Sequence, residues 1–408
     1  MQYKQKVSCL STDSKWGKVV SLYNGNVSGS SPYVFVAKNI TVEDIQKVIN
    51  LPNLPAAVIV ENGSFAGHPS VLLNAKGIQY VVIDKLPENN LQCYAFIDGQ
   101  KEFVYFDENR QIVESKYDKS NLDKNNFSKI IKKVTFHGEI VKVNVDGKNA
   151  NDLLKGFNLG ADGIGILRTD WLGWDGEKPP SVEDHLKLYN DSIKVIGSHQ
   201  LNIRLFDIGG DKIPNWAQKA KSEIRSPLGL RGIRSCDILK TAFENQLNAV
   251  AQISPKVKVG IVLPMISYPQ EVANFKKFFN KISPGDHSNI IWGSMVETPS
   301  SALLIKELYK HADFVRIGPG DLSQFTLATL REHIYPDNLS GDTLNPAVIK
   351  LIRMVMNEAK KQNKDANMCL DVEPRLPLLK KLLAAGVRCF NVSPESIPVV
   401  KNLINSSQ

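Results

Sequence analysis

Cysteine is scarce in this chain of 408 residues. The five present, Cys9, Cys93, Cys236, Cys369 and Cys389, are odd in number and widely spaced. No Cys-x-x-Cys pair and no histidine cluster stands in a zinc-ligating pattern, so a reducing, cytoplasmic setting is expected. Long apolar runs are missing too. The start MQYKQKVSCLSTDSKW has no apolar leader core, and no run approaches bilayer-spanning length, so no membrane partner is expected. No Gly-x-Gly-x-x-Gly turn supports an open dinucleotide-binding sheet, which is the main alternative architecture. Aromatic residues do not interleave with basic ones, and the net charge of +8 is spread thinly. That balance suits an anionic ligand and argues against nucleic acid.

What remains is ample apolar content for a large core and enough chain for two domains. Residues 1–115 read as a small β-rich domain, with short strands at Tyr33–Val36, Ala57–Val60, Tyr80–Ile83 and Phe103–Phe106. Between them, EN-GSFAGHPSVLLNAKGI places His68 after a glycine-containing loop and directly before Pro69, a residue suited to a first helical position. A helix start offers free N–H groups and a positive dipole end, which favours phosphate on the imidazole; a simple helix cap is the alternative. Residues 116–133, KYDKSNLDKNNFSKIIKK, are polar and read as a linker, part of it helical. From 134 to 408 strands and helices alternate. Strands are expected at Ile140–Val145, Gly163–Leu167, Ile203–Ile208, Val259–Met265, Ile290–Val296, Phe314–Ile317, Ala366–Leu370 and Cys389–Val392. Eight strands in that order predict an α/β fold, a (β/α)8 TIM barrel behind the small domain.

Chemistry gathers at the ends of those strands. Glu297 follows one strand, Asp321 closely follows the next, and a barrel would put both on its catalytic rim, where a hard cation such as Mg2+ takes carboxylate oxygens. The plainer alternative has Glu297 capping the helix at Pro299 and Asp321 serving a turn. Arg168, Arg204, Arg231, Arg234 and Arg331 accumulate at the same ends. Any one of them is more often a surface or ion-pair residue, but their convergence fits a substrate bearing phosphate and carboxylate. Cys369 ends the seventh strand, and a lone cysteine near a strand end is more often a small core residue.

These residues carry a resemblance. The segments GADGIGILRTDWL, IRLFDIGGDK, SPLGLRGIR, VLPMISYPQEV, GSMVETPSSA, IGPGDLSQFTLATLR and VSPESIPVVKNLI resemble, in order, blocks of the PEP-utilising enzymes. That family includes pyruvate, phosphate dikinase, PEP synthase and enzyme I of the bacterial sugar phosphotransferase system. The segment GSFAGHPSVLLNAKGI resembles the phosphohistidine loop of the family's swivelling domain. The resemblance implies a Mg2+-dependent phosphotransferase acting between phosphoenolpyruvate and His68, with pyruvate as the other product or substrate. Glu297 and Asp321 would hold Mg2+, and Arg168, Arg204, Arg231 and Arg331 would clamp phosphate and carboxylate. Cys369 would protonate the methylene carbon, and His68 would carry the phosphoryl group on a swivelling β/α domain.

The chain departs from the pattern in places. Ala66 and Gly67 precede His68 where the family has a threonine two positions before it, and Gly320 replaces an asparagine. Leu370-Asp371 replaces Gly-Glu, and Asp170 replaces a glutamate. No ATP-binding domain is expected before His68, and no helical insertion for a carrier protein is expected. The final acceptor is therefore expected on a separate nucleotide-binding subunit, a carrier protein or a small molecule, with a homodimer through the barrel also implied. A barrel-only lyase or a non-catalytic regulatory PEP-binding paralogue are the alternatives.

Overall fold

The computed structural model describes residues 3–9, 14–22, 32–61, 73, 76–86, 93–98, 103–124, 131, 133–210, 212–329, 345–370, 374 and 376–407. They form two compact units, one up to residue 124 and one from residue 131 on.

In the first unit the strands are β1 (Tyr3–Cys9), β2 (Ser14–Ser21), β3 (Tyr33–Ala37), β4 (Ala57–Val60), β5 (Gln79–Ile83), β6 (Tyr94–Asp98) and β7 (Phe103–Asp107). Their order is β1-β5-β4-β3-β2-β6-β7, and β7 pairs back onto β1 to close the sheet. The run β2-β3-β4-β5 is parallel, and every other pairing is antiparallel. Parallel strands need cover on both faces, and these have it. Val34, Val36, Ala57, Ile59, Val81 and Ile83 point one way, into a cluster with Ala95, Ile97 and Val104. Phe35, Val58, Val60 and Tyr80, their alternating neighbours, meet Ile45 and Val48 of the helix Val42–Ile49 on the other side. That helix is started by Thr41 and Asp44, which cap each other's backbone.

Strands β3, β4, β5 and β7 stand where their apolar runs put them. The strands β1, β2 and β6 went unread; in β1 and β2, YKQKVSC and SKWGKVVS mix lysine and serine into short runs. The helix Arg110–Lys124 enters the stretch read as a linker, and its first turns pack Ile112, Val113 and Tyr117 near Phe96 and Tyr105. His68, Ala66 and Gly67 lie outside the described residues. The end of the segment they precede is visible. Leu73 is helical and buried, its carbonyl accepts from Lys76 and Ile78 at 3.0 Å each, and Gly77 turns the chain at φ +73°. Glycine is the residue that adopts this left-handed helix ending without strain.

The second unit begins with a hairpin, β8 (Val134–Phe136) and β9 (Glu139–Gly147), whose turn residues His137 and Gly138 both have positive φ. This is the turn geometry that matches strand twist. There follow β10 (Ile164–Arg168), β11 (Leu201–Arg204), β12 (Val259–Leu263), β13 (Ile290–Val296), β14 (Phe314–Ile317), β15 (Asp365–Cys369) and β16 (Cys389–Val392). Each from β9 to β16 pairs in parallel with the next, and β16 and β10 both pair with β9. The result is a closed eight-stranded parallel barrel, the TIM-type fold read from the alternation. Between strands run helices such as Val182–Ile196, Pro269–Ile282 and Leu376–Ala384, which bury apolar faces on the barrel's outside. At the C-terminus Lys401 is buried, and its ammonium donates to the carbonyls of Ile131 and Gly160 and to Asp162.

One strand differs from expectation. β11 ends at Arg204, although Leu205, Phe206 and Ile208 remain buried. The cause lies in what the backbone bonds to. Leu205 still donates to the Val262 carbonyl, but Phe206 donates to Gln246 Oε1 and Asp207 to Asp170 Oδ1. Side chains replace the sheet as partners, and the chain bends onto the rim.

Among the described residues no helix is long and apolar enough to cross a membrane.

Candidate functional site

The C-terminal rim of the barrel is where the chemistry-bearing residues meet. Arg168 and Arg204 are the last residues of β10 and β11, Glu297 follows β13, and Asp321 lies in the first turn of the helix Pro319–Leu327 after β14. Arg231 comes from the segment joining β11 to β12, just before a short 3-10 turn at Gly232–Ser235. The strand ends therefore gather three of the four arginines and both carboxylates. Arg331 lies outside the described residues.

Glu297 does not cap the neighbouring helix. Thr298 does, its hydroxyl accepting from the Ser301 N–H at 3.1 Å. Glu297 is 2% exposed, and its Oε2 accepts from the Met265 N–H at 2.9 Å. Gly318 lets the next strand end approach closely: a Cβ there would stand 2.8 Å from Glu297 Cγ and 2.9 Å from its Oε1. Asp321 is likewise part of a helix rather than a turn. Both of its oxygens face Arg231, which donates through Nη1 at 2.9 Å and Nη2 at 3.2 Å.

Each arginine is held by a carboxylate. Asp146, at the end of β9, accepts from Arg168 Nη2 at 3.0 Å and from the Ile166 N–H at 2.7 Å. Gly165 leaves room for it, since a Cβ there would fall 2.2 Å from Asp146 Oδ1. Asp170 pairs with Arg204. Asp207 accepts a two-pronged contact from Arg231, Nε and Nη2 each at 3.0 Å, and a third from Lys212 at 3.1 Å. Sequence reasoning missed Asp146 and Asp207. Their signal was the number of arginines itself, because buried guanidinium groups require nearby carboxylates. Arg234, counted with the arginines, pairs with Glu271 at 3.1 Å.

The charges are matched at most positions but not at Glu297. Burial alone would raise the Asp207 carboxyl, yet Arg231, Lys212 and Arg204 outweigh it and hold it well below the usual range. Burial would lower Arg204, and Asp170 and Asp207 raise it instead. Glu297 has the reverse fate. Burial, then repulsion by Asp321 and Asp207, push its carboxyl up to about 7, and Arg204 and Arg231 only partly offset them. A further positive charge beside it would be welcome. Arg204 Nε–H, buried, has no acceptor among the described residues and is available to a ligand oxygen.

Among the described residues no three His, Cys, Asp or Glu side chains come together as a metal cluster. Two carboxylates nonetheless suit Mg2+, which commonly takes one or two from the protein and the rest from water and substrate phosphate. Glu297 and Asp321 supply that number of carboxylates, with both Asp321 oxygens taken by Arg231 in this structure.

Cys369 ends β15 and is 2% exposed, packed with Ile166, Val262, Met295 and Phe314 inside the barrel. Asn391 Nδ2 stands 3.7 Å from its sulfur. On the rim, Trp171 and Trp174 lie 5.0 Å apart, and Lys148 sits over the Trp171 face at 4.8 Å.

Comparison with known proteins shows the family of this chain. Residues 123–408 match the family described as PEP-utilising enzyme, PEP-binding domain. The chain belongs to the PEP-utilising enzymes. It is similar to the phosphoenolpyruvate-protein phosphotransferase of Buchnera aphidicola, at 29% identity over 92% of this chain and 67% of that protein. The Haemophilus influenzae protein of the same name is also 29% identical, over 91% of this chain and 67% of its own length. The phosphoenolpyruvate synthase of Pyrococcus furiosus is 26% identical, over 86% of this chain and 44% of that protein. Among the PEP-utilising enzymes this chain pairs a barrel with a unit before it, and the matched family segment takes in the whole barrel.

Proposed function

We propose that this enzyme is a Mg2+-dependent phosphotransferase that moves a phosphoryl group between phosphoenolpyruvate and His68, with pyruvate as product or substrate. The final acceptor or donor is another molecule or subunit: a nucleotide-binding subunit, a carrier protein or a small molecule. One observation carries the reading. Two buried carboxylates share one barrel rim with three arginines, two of which, Arg204 and Arg231, act on Glu297 without fully offsetting the burial and repulsion that raise it.

Arg168, Arg204 and Arg231 would receive the phosphate and carboxylate of the substrate, and Arg331 joins them by resemblance. Fixed guanidinium groups stabilise charge that develops during transfer, because they need no reorganisation as the reaction proceeds. Glu297 and Asp321 would hold Mg2+, which supplies neutralisation of the phosphoryl oxygens. The imidazole of His68 attacks phosphorus, forming an N–P bond as the P–O bond to the enol oxygen breaks. The enolate then takes the thiol proton of Cys369 at its methylene carbon, and pyruvate results. The apolar surroundings of Cys369 suit this step, since they keep water from competing for the enolate.

Calorimetric titration of phosphoenolpyruvate with and without Mg2+ tests the metal assignment. Glu297→Ala and Asp321→Ala should each lose Mg2+-dependent binding while the barrel stays folded, and EDTA should reproduce the loss on the parent. Undiminished Mg2+-dependent binding in both variants contradicts the assignment.

A further inference from the structure

Away from the rim, a surface groove of about 580 Å³ borders two helical segments of the barrel, Pro299–Leu308 and Pro346–Gln362. Its lining combines properties that surfaces usually keep apart. Leu303 and Met354 line it while 59% and 42% exposed. Four cations line it as well: Lys306 from one segment, and Lys350, Arg353 and Lys361 from the other. Among the described residues none of these four has an ion-pair partner. Exposed cations elsewhere find carboxylates one turn away, as Lys47 does with Glu43 at 3.0 Å and Arg110 with Glu114 at 2.9 Å. The helix Pro346–Gln362 carries a single carboxylate, Glu358, which lines the groove beside these cations and accepts from Gln362 at 2.6 Å.

The spacing makes the feature coherent. Lys350, Met354, Asn357 and Lys361 recur every three or four residues, so they share one helix face. That face extends for about 16 Å at 1.5 Å per residue. An ordinary solvated face would carry more carboxylates than the one, Glu358, found among these four cations. Four cations against the one carboxylate Glu358 leave the lining net positive, and an anion bound among them relieves their repulsion. The volume falls inside the roughly 300–1,000 Å³ of small-molecule sites.

We propose that this groove binds a phosphorylated small molecule with an apolar body. Its phosphates meet Lys306, Lys350, Arg353 and Lys361, and the Arg353 fork suits two oxygens of one phosphate. Its apolar part lies on Leu303 and Met354, whose flexible thioether side chain adapts to a planar ring. Asn357 offers a donor and an acceptor to a ring edge. The groove shares no residue with the rim, and the proposal does not rest on the phosphotransfer reading.

ATP serves as the probe of this class, and inorganic tripolyphosphate as the probe of charge alone. Both are titrated calorimetrically into the full chain in EDTA, into Arg353→Glu, and into Met354→Asp. Both substituted positions are exposed, so neither variant should unfold. ATP should bind at sub-millimolar concentration, at least about tenfold more tightly than tripolyphosphate, and each substitution should weaken it by about tenfold or more. Hydrogen exchange should slow in Pro346–Gln362 when ATP is present. Absence of ATP binding, binding indifferent to both substitutions, or tripolyphosphate binding as tightly as ATP would each overturn the proposal.

Discussion

Replacing Glu297 by glutamine should stabilise the metal-free protein, and only on the alkaline side. In the folded chain the Glu297 carboxyl sits at about 7, raised from an ordinary 4.5 by burial and by Asp321 and Asp207. A carboxyl raised on folding binds its proton more tightly in the folded than in the unfolded chain. Its contribution to stability is therefore full below pH 4.5 and is lost as pH rises toward 7. Each pH unit in that window is worth about 1.4 kcal/mol, so the cost of ionised Glu297 above pH 7 is about 3 kcal/mol. Glutamine keeps an oxygen for the Met265 N–H, which Glu297 now accepts at 2.9 Å, but never ionises. The assay is urea unfolding in EDTA of parent and Glu297→Gln at pH 5 and pH 8, followed by tryptophan fluorescence. The variant should gain about 2–3 kcal/mol at pH 8 and little at pH 5, while losing Mg2+-dependent activity, which places a stability cost at a functional site. A variant no more stable than the parent at pH 8, or equally shifted at both pH values, would refute the reasoning.

Two further outcomes follow from the rim. Arg231→Ala should destabilise the barrel by about 3–5 kcal/mol in urea unfolding, because it removes the cation shared by buried Asp207 and Asp321. Cys369→Ala should bind phosphoenolpyruvate nearly as the parent does yet form pyruvate about 10²–10⁴-fold more slowly, the range typical of a lost general acid. Pyruvate release at the parent's rate would assign Cys369 to the apolar packing around it.

The barrel was legible because several of its strands, IGILR, VGIVL and IIWGSMV among them, are short runs rich in apolar residues, and because helical periodicity separates them. VGIVL and IIWGSMV could be little else, being buried on both faces. Strand ends in turn named the rim residues Arg168, Arg204, Glu297 and Asp321. What stayed hidden were the partners. Asp146 and Asp207 look like ordinary acidic residues in a sequence, and their roles depend on Arg168 and Arg231 arriving from elsewhere in the chain. The early end of β11 was hidden for the same reason: Gln246 and Asp170, both distant in sequence, take its backbone N–H groups. In the first unit, β1 and β2 carry lysine, glutamine and serine within their runs, so no clear period of two announced them.

The measurement that bears most directly on the central claim is the intact mass of the protein after exposure to phosphoenolpyruvate and Mg2+, taken at alkaline pH. A phosphoryl group on imidazole nitrogen survives base and is lost in mild acid, whereas a phosphoserine is not. The account predicts one added phosphoryl group on the parent chain without any acceptor present, its disappearance after brief acid treatment, and its absence in His68→Ala, which should still bind phosphoenolpyruvate through the barrel. An unmodified parent mass, with phosphoenolpyruvate binding confirmed in the same sample, would contradict it and leave the barrel as a lyase or a binding module.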